Sequence, residues 1–248
     1  MTFSYSRLTA FDSCRYKWLL KYIFGIPKIG DSFFSSYGSF IHDILAKFYR
    51  SEGDANTLTP YFLEHYFSQV TGKPQKNTTA INYFHAGLDM VSNLKPTDKE
   101  ILGVEQEVHW TLGGRNYLGY IDLVLKDDDG IIILDHKSRD LKPRSNRKKP
   151  TKGDEELDEY LRQLYLYAIP IKEMYGEHPV SLQFNCFRTG LLIKEPFGIQ
   201  KFEETKRWAT EKANEIESND DWHPTIDFFG CKYLCDVRHT CEYYNVGR

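Results

Sequence analysis

Apolar positions along the chain change period several times, and the changes predict its elements. Residues 6–24 carry Leu8, Phe11, Leu19, Leu20 and Ile23 at helical spacing, and Gly25 with Pro27 predicts the stop. A second stripe, Ile41, Ile44, Leu45 and Phe48, predicts a helix within 36–50. Residues 54–100 are polar and mainly helical, with aromatic pairs Tyr61-Phe62, Tyr66-Phe67 and Tyr83-Phe84. At 101–111 the period drops to two, with Leu102, Val104, Val108 and Trp110 set against Glu105, Glu107 and His109, which predicts a strand. Two β-rich runs, 117–125 and 131–134, flank Asp127-Asp128-Asp129-Gly130 and predict a hairpin. Helical spacing returns over 155–175, two strands follow around Arg188-Thr189-Gly190, and an amphipathic helix covers 201–217.

The hairpin register brings chemistry with it. With those four residues as the loop, Lys126 pairs with Ile131 and Asp122 falls opposite Asp135. Opposed carboxylates on neighbouring strands repel each other, and a divalent cation, which takes carboxylate oxygens, would offset the repulsion. Lys137 is two residues past Asp135, so strand alternation sets it on the same face.

Composition narrows the classes. The chain has 248 residues, 41% hydrophobic and 15% aromatic, enough for one large domain or one domain with an inserted lobe. A net charge of −3 gives no overall attraction to nucleic acid, so any basic surface is local. No apolar run is long enough to span a bilayer and Met1 to Arg7 lacks a secretory pattern, so the expected location is cytoplasmic, without a membrane partner. In that setting the five cysteines are expected as thiols or metal ligands rather than disulfides. Three of them, Cys231, Cys235 and Cys241, form a C-x3-C-x5-C tail, one short of a tetrahedral set that Cys14 would complete. Cys186 reads as a buried strand residue.

The segments Gly119-Tyr120-Ile121-Asp122 and Asp135-His136-Lys137 resemble the PD-(D/E)xK nuclease superfamily, and the D-x-K form is most similar to its RecB-like branch. Further segments resemble the same branch in the same order. They are Ser4-Tyr5-Ser6-Arg7-Leu8 with Cys14, Gly38 to His42 before a helix, Gln163-Leu164-Tyr165-Leu166-Tyr167, and the cysteine tail. The resemblance implies an α/β fold: a restriction-endonuclease-like core with a small mixed sheet flanked by helices, a helical insertion at 51–100 and a metal-stapled terminal region. On that reading 1–248 is one nuclease domain, with the first cluster cysteine in 1–35, the catalytic core in 101–200 and the other cysteines in 218–248.

It also implies roles. Asp122, Asp135 and Lys137 would be catalytic, with Gln163 and Tyr167 positioning DNA or the lysine. His42, Asp122, Asp135 and the carbonyl of His136 would hold Mn²⁺ or Mg²⁺, with Glu105, or equally Glu107, as an added acid. Cys14, Cys231, Cys235 and Cys241 would hold a [4Fe-4S] cluster as in iron–sulfur RecB-like nucleases. Their usual tail is C-x2-C-x5-C, so the extra residue here leaves open zinc, with His239 as a possible substitute ligand, and unligated thiols. The basic loop 138–153, with Arg144, Arg147, Lys148 and Lys149, leaves the D-x-K strand directly and is expected to contact DNA; the alternative is a solvated loop. The expected activity is metal-dependent DNA hydrolysis, exonucleolytic at DNA ends with single strands favoured, in recombination, repair or phage DNA processing. A CRISPR-adaptation nuclease that trims spacers, and an AddB-type nuclease domain, share these motifs. Recombination or CRISPR-adaptation proteins are the partners they imply, and an inactive DNA-binding module is the alternative of another class.

Overall fold

The computed structural model describes residues 1–28 and 32–244. The expected terminal regions 1–35 and 218–248 also include 29–31 and 245–248, which lie outside the described residues. The chain folds as a mixed α/β structure around a six-stranded sheet. Its strands are β1 (Thr2–Phe3), β2 (Glu100–Leu112), β3 (Arg115–Asp127), β4 (Gly130–Lys137), β5 (Ser181–Cys186) and β6 (Leu191–Pro196). The helices are α1 (Tyr5–Ser13), α2 (Arg15–Tyr22), α3 (Phe33–Tyr49), α4 (Ala55–Gln69), α5 (Asn77–Ser92), α6 (Lys152–Tyr175) and α7 (Ile199–Glu217), followed by one π turn at Gly230–Leu234.

The sheet runs β1-β3-β4-β5-β6, with β2 on the other edge of β3. β2, β3 and β4 form an antiparallel meander, and β4 pairs parallel with β5 because α6 carries the chain back between them. The hairpin keeps the expected register, Lys126 opposite Ile131. Its loop is tighter than four residues, since Asp127 pairs with Gly130. The Asp127 carboxylate accepts from the Asp129 N–H at 3.1 Å, and Gly130 takes the positive φ of 132° that closes the turn.

Two cores sit on either side of the meander. α1, α6 and α7 cover one face, where Phe11, Ile121, Val124, Ile133, Leu164 and Ala213 are buried together. The other face of the hairpin, with Leu123, Leu125, Ile132 and Leu134, packs against Tyr49 and Val104. The expected helical insertion is α4 and α5, and with α3 it closes a core of its own around Ile41, Ile44, Phe62 and Tyr66, plugged by Phe187. The helix predicted over 6–24 is two helices. Cys14 interrupts it in extended conformation (φ −167°, ψ 112°), ending α1 and capping α2 with its thiol, which accepts from the Lys17 N–H at 3.4 Å. α6 begins earlier than periodicity shows because Thr151 and Asp154 form a reciprocal capping box. β1, two residues beside Asn116 and Tyr117, carries no periodic signal and was not expected. No helix among the described residues is long and apolar enough to cross a membrane.

Candidate metal and hydrolytic site

The site lies where two ladders let go of β3. β4 pairs with β3 only as far as Leu123, opposite Leu134, so the expected ladder pair of Asp122 with Asp135 is not made, although the two carboxylates remain close enough to interact. On the other edge β2 pairs on both sides of Asp122, Val104 with Leu123 and Gln106 with Ile121, but omits Glu105 and Asp122 themselves. Glu105 there has a left-handed φ of 48°, which costs a non-glycine residue about 1–2 kcal/mol. The alternation of β3 slips at the same point: Ile121 and Val124 both join the α6-side core, whereas Leu123 and Leu125 join the opposite one. Asp122 therefore stands at a fork, and its carboxylate accepts the His136 N–H at 2.6 Å in place of a backbone carbonyl.

α3 delivers His42 to the fork. Its Nε2 lies 2.9 Å from the His136 carbonyl, so with Nε2 as donor its Nδ1 faces the acids. Nδ1 is 3.5 Å from Asp122 Oδ2 and 3.6 Å from Glu105 Oε1. One ligand atom from each of His42, Glu105 and Asp122 lies within 4.8 Å of the other two, the one group of this kind among the described residues. Burial first, and then the neighbouring Asp135 charge, push the Asp122 carboxyl up to about 7, against the opposing pull of His42. Burial disfavours a charged His42, but the contact with Glu105 and the charges of Asp122 and Asp135 outweigh it and raise the imidazole to about 9. A protonated His42 thus supplies positive charge between Glu105 and Asp122 when no cation is bound, and loss of its Nδ1 proton turns it into a donor. A divalent cation of Mn²⁺ or Mg²⁺ type fits that donor set, two hard carboxylates and one imidazole.

Asp135 and Lys137 stand beside this group. Asp135 is almost wholly buried and its Oδ2 is 2.7 Å from Lys137 Nζ. The lysine and His42 thus offset part of the repulsion between the aspartates without any metal. Burial alone would lower Lys137, but the Asp135 charge outweighs it and raises the ammonium above its ordinary value. Lys137 Nζ also donates to Gln163 Oε1 at 3.1 Å, and Gln163 Nε2 donates to Tyr167 Oη at 3.0 Å. The Tyr167 ring lies over Gly119, where any Cβ would collide with it. The residues from Gly119 to Asp122 and the D-x-K strand are in this way cross-braced through α6.

A sequence profile of the PD-(D/E)XK nuclease superfamily matches residues 2–242. The chain belongs to the PD-(D/E)XK nuclease superfamily. A crystal structure of a protein from Eubacterium rectale, described as a candidate exonuclease, is similar to this nuclease with a TM-score of 0.56 and 12% sequence identity. The match covers 97% of the nuclease and 88% of that chain, and at this identity it shows a shared fold. No curated protein matches.

Of the expected residues, the nuclease fold brings His42, Asp122, Asp135, His136, Lys137, Gln163 and Tyr167 to one place. Glu105 rather than Glu107 joins them; Glu107 contacts His109 at 2.8 Å and accepts from Tyr120 at 2.8 Å. Two residues went unnoticed in the sequence. Asn185 Nδ2 lies 3.1 Å from His136 Nδ1, and the Tyr49 ring stacks on the His136 ring at 5.8 Å and 15°. Neither had a signal: Asn185 is one of three alternating polar residues of β5, with Ser181 and Gln183, and Tyr49 ends an ordinary helix.

The cysteines occupy a second region of the nuclease. Cys14, Cys231, Cys235 and Cys241 all line one cavity of about 380 Å³ between the Cys14 break and the tail. No three of the four thiols lie within 4.8 Å of one another. A single tetrahedral zinc, with Zn–S near 2.3 Å, would need sulfurs about 3.8 Å apart. Cys186 is buried in β5. In the basic loop, Arg144 is bonded to Asp158 at 2.7 Å and Glu195 at 2.8 Å, while Arg147, Lys148 and Lys149 are exposed.

Proposed function

We propose that the chain is a Mn²⁺- or Mg²⁺-dependent deoxyribonuclease of the RecB-like branch, acting as an exonuclease on DNA ends with single strands favoured, in recombination, repair or phage DNA processing. The observation that carries this reading is the convergence of His42, Glu105 and Asp122 beside the Asp135–Lys137 pair. His42, Glu105 and Asp122 would hold the cation, with Asp135 and the His136 carbonyl next to it. A cation there would polarise the scissile phosphate and acidify an attacking water.

The chain's own residues do the rest. The His136 carbonyl fixes the His42 ring so that Nδ1 points into the fork. Asn185 and Tyr49 hold the His136 side chain from the other side and so steady the peptide between Asp135 and Lys137. Gln163, anchored by Tyr167, aims Lys137. The Lys137 ammonium stabilises negative charge that develops on the phosphate oxygens. Arg147, Lys148 and Lys149 carry exposed charge available to a phosphate backbone.

A [4Fe-4S] cluster in the cysteine cavity is part of the proposal. The cavity lined by all four cysteines supports it, although no three of the thiols lie within 4.8 Å of one another. It would join α1 and α2 to the tail and treat 1–248 as one nuclease unit. The test is cleavage of end-labelled single- and double-stranded DNA, linear and circular, with Mn²⁺, Mg²⁺ or EDTA, using anaerobically purified protein beside Asp135→Ala. Metal-dependent loss of label from linear single strands that disappears in the variant supports the reading. Binding without cleavage under every metal condition refutes it in favour of an inactive DNA-binding module.

A further inference from the structure

A line of half-buried aromatic rings and guanidinium groups leads away from the proposed hydrolytic lysine. It begins at Tyr160 on α6, whose ring lies 5.4 Å from Lys137 Nζ and 6.0 Å from the Arg139 guanidinium. The preceding turn of α6 receives Tyr5 from α1, whose hydroxyl donates to the Glu159 carbonyl at 2.7 Å. The Tyr5 ring is 6.2 Å from the Trp208 ring of α7, inclined by 51°. The Arg162 guanidinium lies 4.7 Å from the centre of the Trp208 ring. A shallow cavity of about 220 Å³ opens at that end, lined by Arg162, Trp208 and Lys201 and by the acids Asp158 and Glu204.

The charges along this line differ in kind. Arg139 has 63% of its side chain exposed and pairs with Glu156 at 2.6 Å, a surface pair of little net worth that another anion can displace. Lys201 is engaged by Asp158 at 2.6 Å. Arg162 makes no ion pair among the described residues; its guanidinium lies over the Trp208 ring, with Asp158 and Glu204 lining the same cavity. A half-exposed guanidinium on a half-exposed tryptophan is a stable hydrated pair, and its N–H donors can exchange water for an acceptor on a ligand. Nucleic-acid bases offer a π-face to the rings and their phosphates an acceptor to the guanidinium, and rings in succession suit unpaired bases because paired bases hide their faces.

We infer that Tyr160, Tyr5 and Trp208, with Arg139 and Arg162, form a binding track for single-stranded nucleic acid that leads to the hydrolytic site. This rests on the nuclease reading for its direction, but the binding is measurable without any hydrolysis. A single strand enters over Trp208 and Arg162, passes Tyr5 and reaches Tyr160 beside Lys137. The track reads no sequence, because stacking and phosphate contacts are common to all bases.

The test is fluorescence anisotropy with a fluorescein-labelled oligothymidine single strand and a labelled duplex of equal length, in EDTA so that nothing is cleaved. Trp208→Ala and Arg162→Ala should each weaken single-strand binding about tenfold and leave duplex binding unchanged. Trp208→Phe should restore most of the affinity, and Arg162→Lys only part of it. Arg162→Ala removes no buried group, so it keeps the test valid if Trp208→Ala unfolds. Unchanged single-strand affinity in Arg162→Ala, or equal weakening on the duplex, overturns the track. Failure of the nuclease reading shows separately, as absence of Asp135-dependent cleavage by the unmodified protein.

Discussion

The fork in the sheet and the cysteine cavity are built by opposite means. Around the fork, the backbone does the positioning. Two strand ladders end or skip at Asp122, the freed His136 N–H is taken by the Asp122 carboxylate, and His42 is aimed by a carbonyl. Around the cysteines, side chains hold short elements together. Lys17 and Lys21 pair with Asp236 at 3.2 and 2.7 Å, Tyr16 donates to Glu242 at 2.8 Å, and Trp222 stacks on Trp18 at 5.6 Å. The fork is thus positioned by the protein's own backbone contacts. The tail rests on partly exposed ion pairs, a few aromatic contacts and the buried Val237, so a cluster bound there would contribute to folding itself.

The largest effect expected is on chemistry alone. Lys137→Ala should lower turnover by about 10²–10³ while Mn²⁺ affinity stays within a few-fold, because the lysine contacts Asp135 and not the His42 group. Isothermal titration with Mn²⁺ beside single-turnover cleavage checks it, and lost metal binding would place Lys137 in the wrong role. Gln163→Ala should cost about tenfold in turnover, since it removes the acceptor that aims Lys137 and the anchor to Tyr167.

The contrast sharpens in the cysteine region. Cys14→Ser should abolish visible iron–sulfur absorption, expose the chain after Ser218 to protease and lower Tm by on the order of 5 °C. Residual cleavage should fall far less than in Asp135→Ala, because the thiols do not touch the fork. Equal losses in the two variants would mean that the regions are coupled.

Protonation gives a smaller test. His42 is raised to about 9, so its contribution to stability is present below its ordinary value and disappears as pH rises through the folded one. Asp122 is raised to about 7, so its buried carboxylate burdens the fold increasingly as pH climbs from the ordinary carboxylate range to that value. Both act in one direction: the metal-free protein should lose stability from mildly acidic to alkaline pH. Metal affinity should rise over the same range, since bound protons must leave. Denaturant titrations in EDTA and in Mn²⁺ at several pH values check the sign. The smallest effect is backbone strain. Glu105→Gly should relieve about 1 kcal/mol at the left-handed position while weakening Mn²⁺ binding, and above about pH 9, where the His42–Glu105 contact no longer contributes, Tm of the metal-free protein should rise by about 2–4 °C.

How far the sequence could be read follows the same division. The hairpin register, the D-x-K strand and the Gln163–Tyr167 helix are local patterns, and periods of two and 3.6 expose them. The choice of Glu105 over Glu107 was not legible, because parity treats them alike and only the distortion of β2 brings one of them to His42. The break at Cys14 was hidden for a different reason. Tertiary packing of Leu8, Phe11, Trp18 and Leu20 keeps a helical period across a residue that is itself extended. The neutralising roles of His42 and Lys137 were hidden too, so the opposed aspartates seemed to need a metal more than they do. Arg144 looked like part of a free basic loop, but Glu195 and Asp158, both distant in sequence, bind it.

The most direct measurement is a crystal of anaerobic protein soaked in Mn²⁺, with anomalous data collected at the manganese, iron and zinc edges. Manganese density is expected between His42 Nδ1, Glu105 and Asp122, and iron density in the cavity lined by Cys14, Cys231, Cys235 and Cys241. Absence of manganese at the fork would refute a cation site at His42, Glu105 and Asp122, and a zinc signal without iron at the cysteines would refute the cluster.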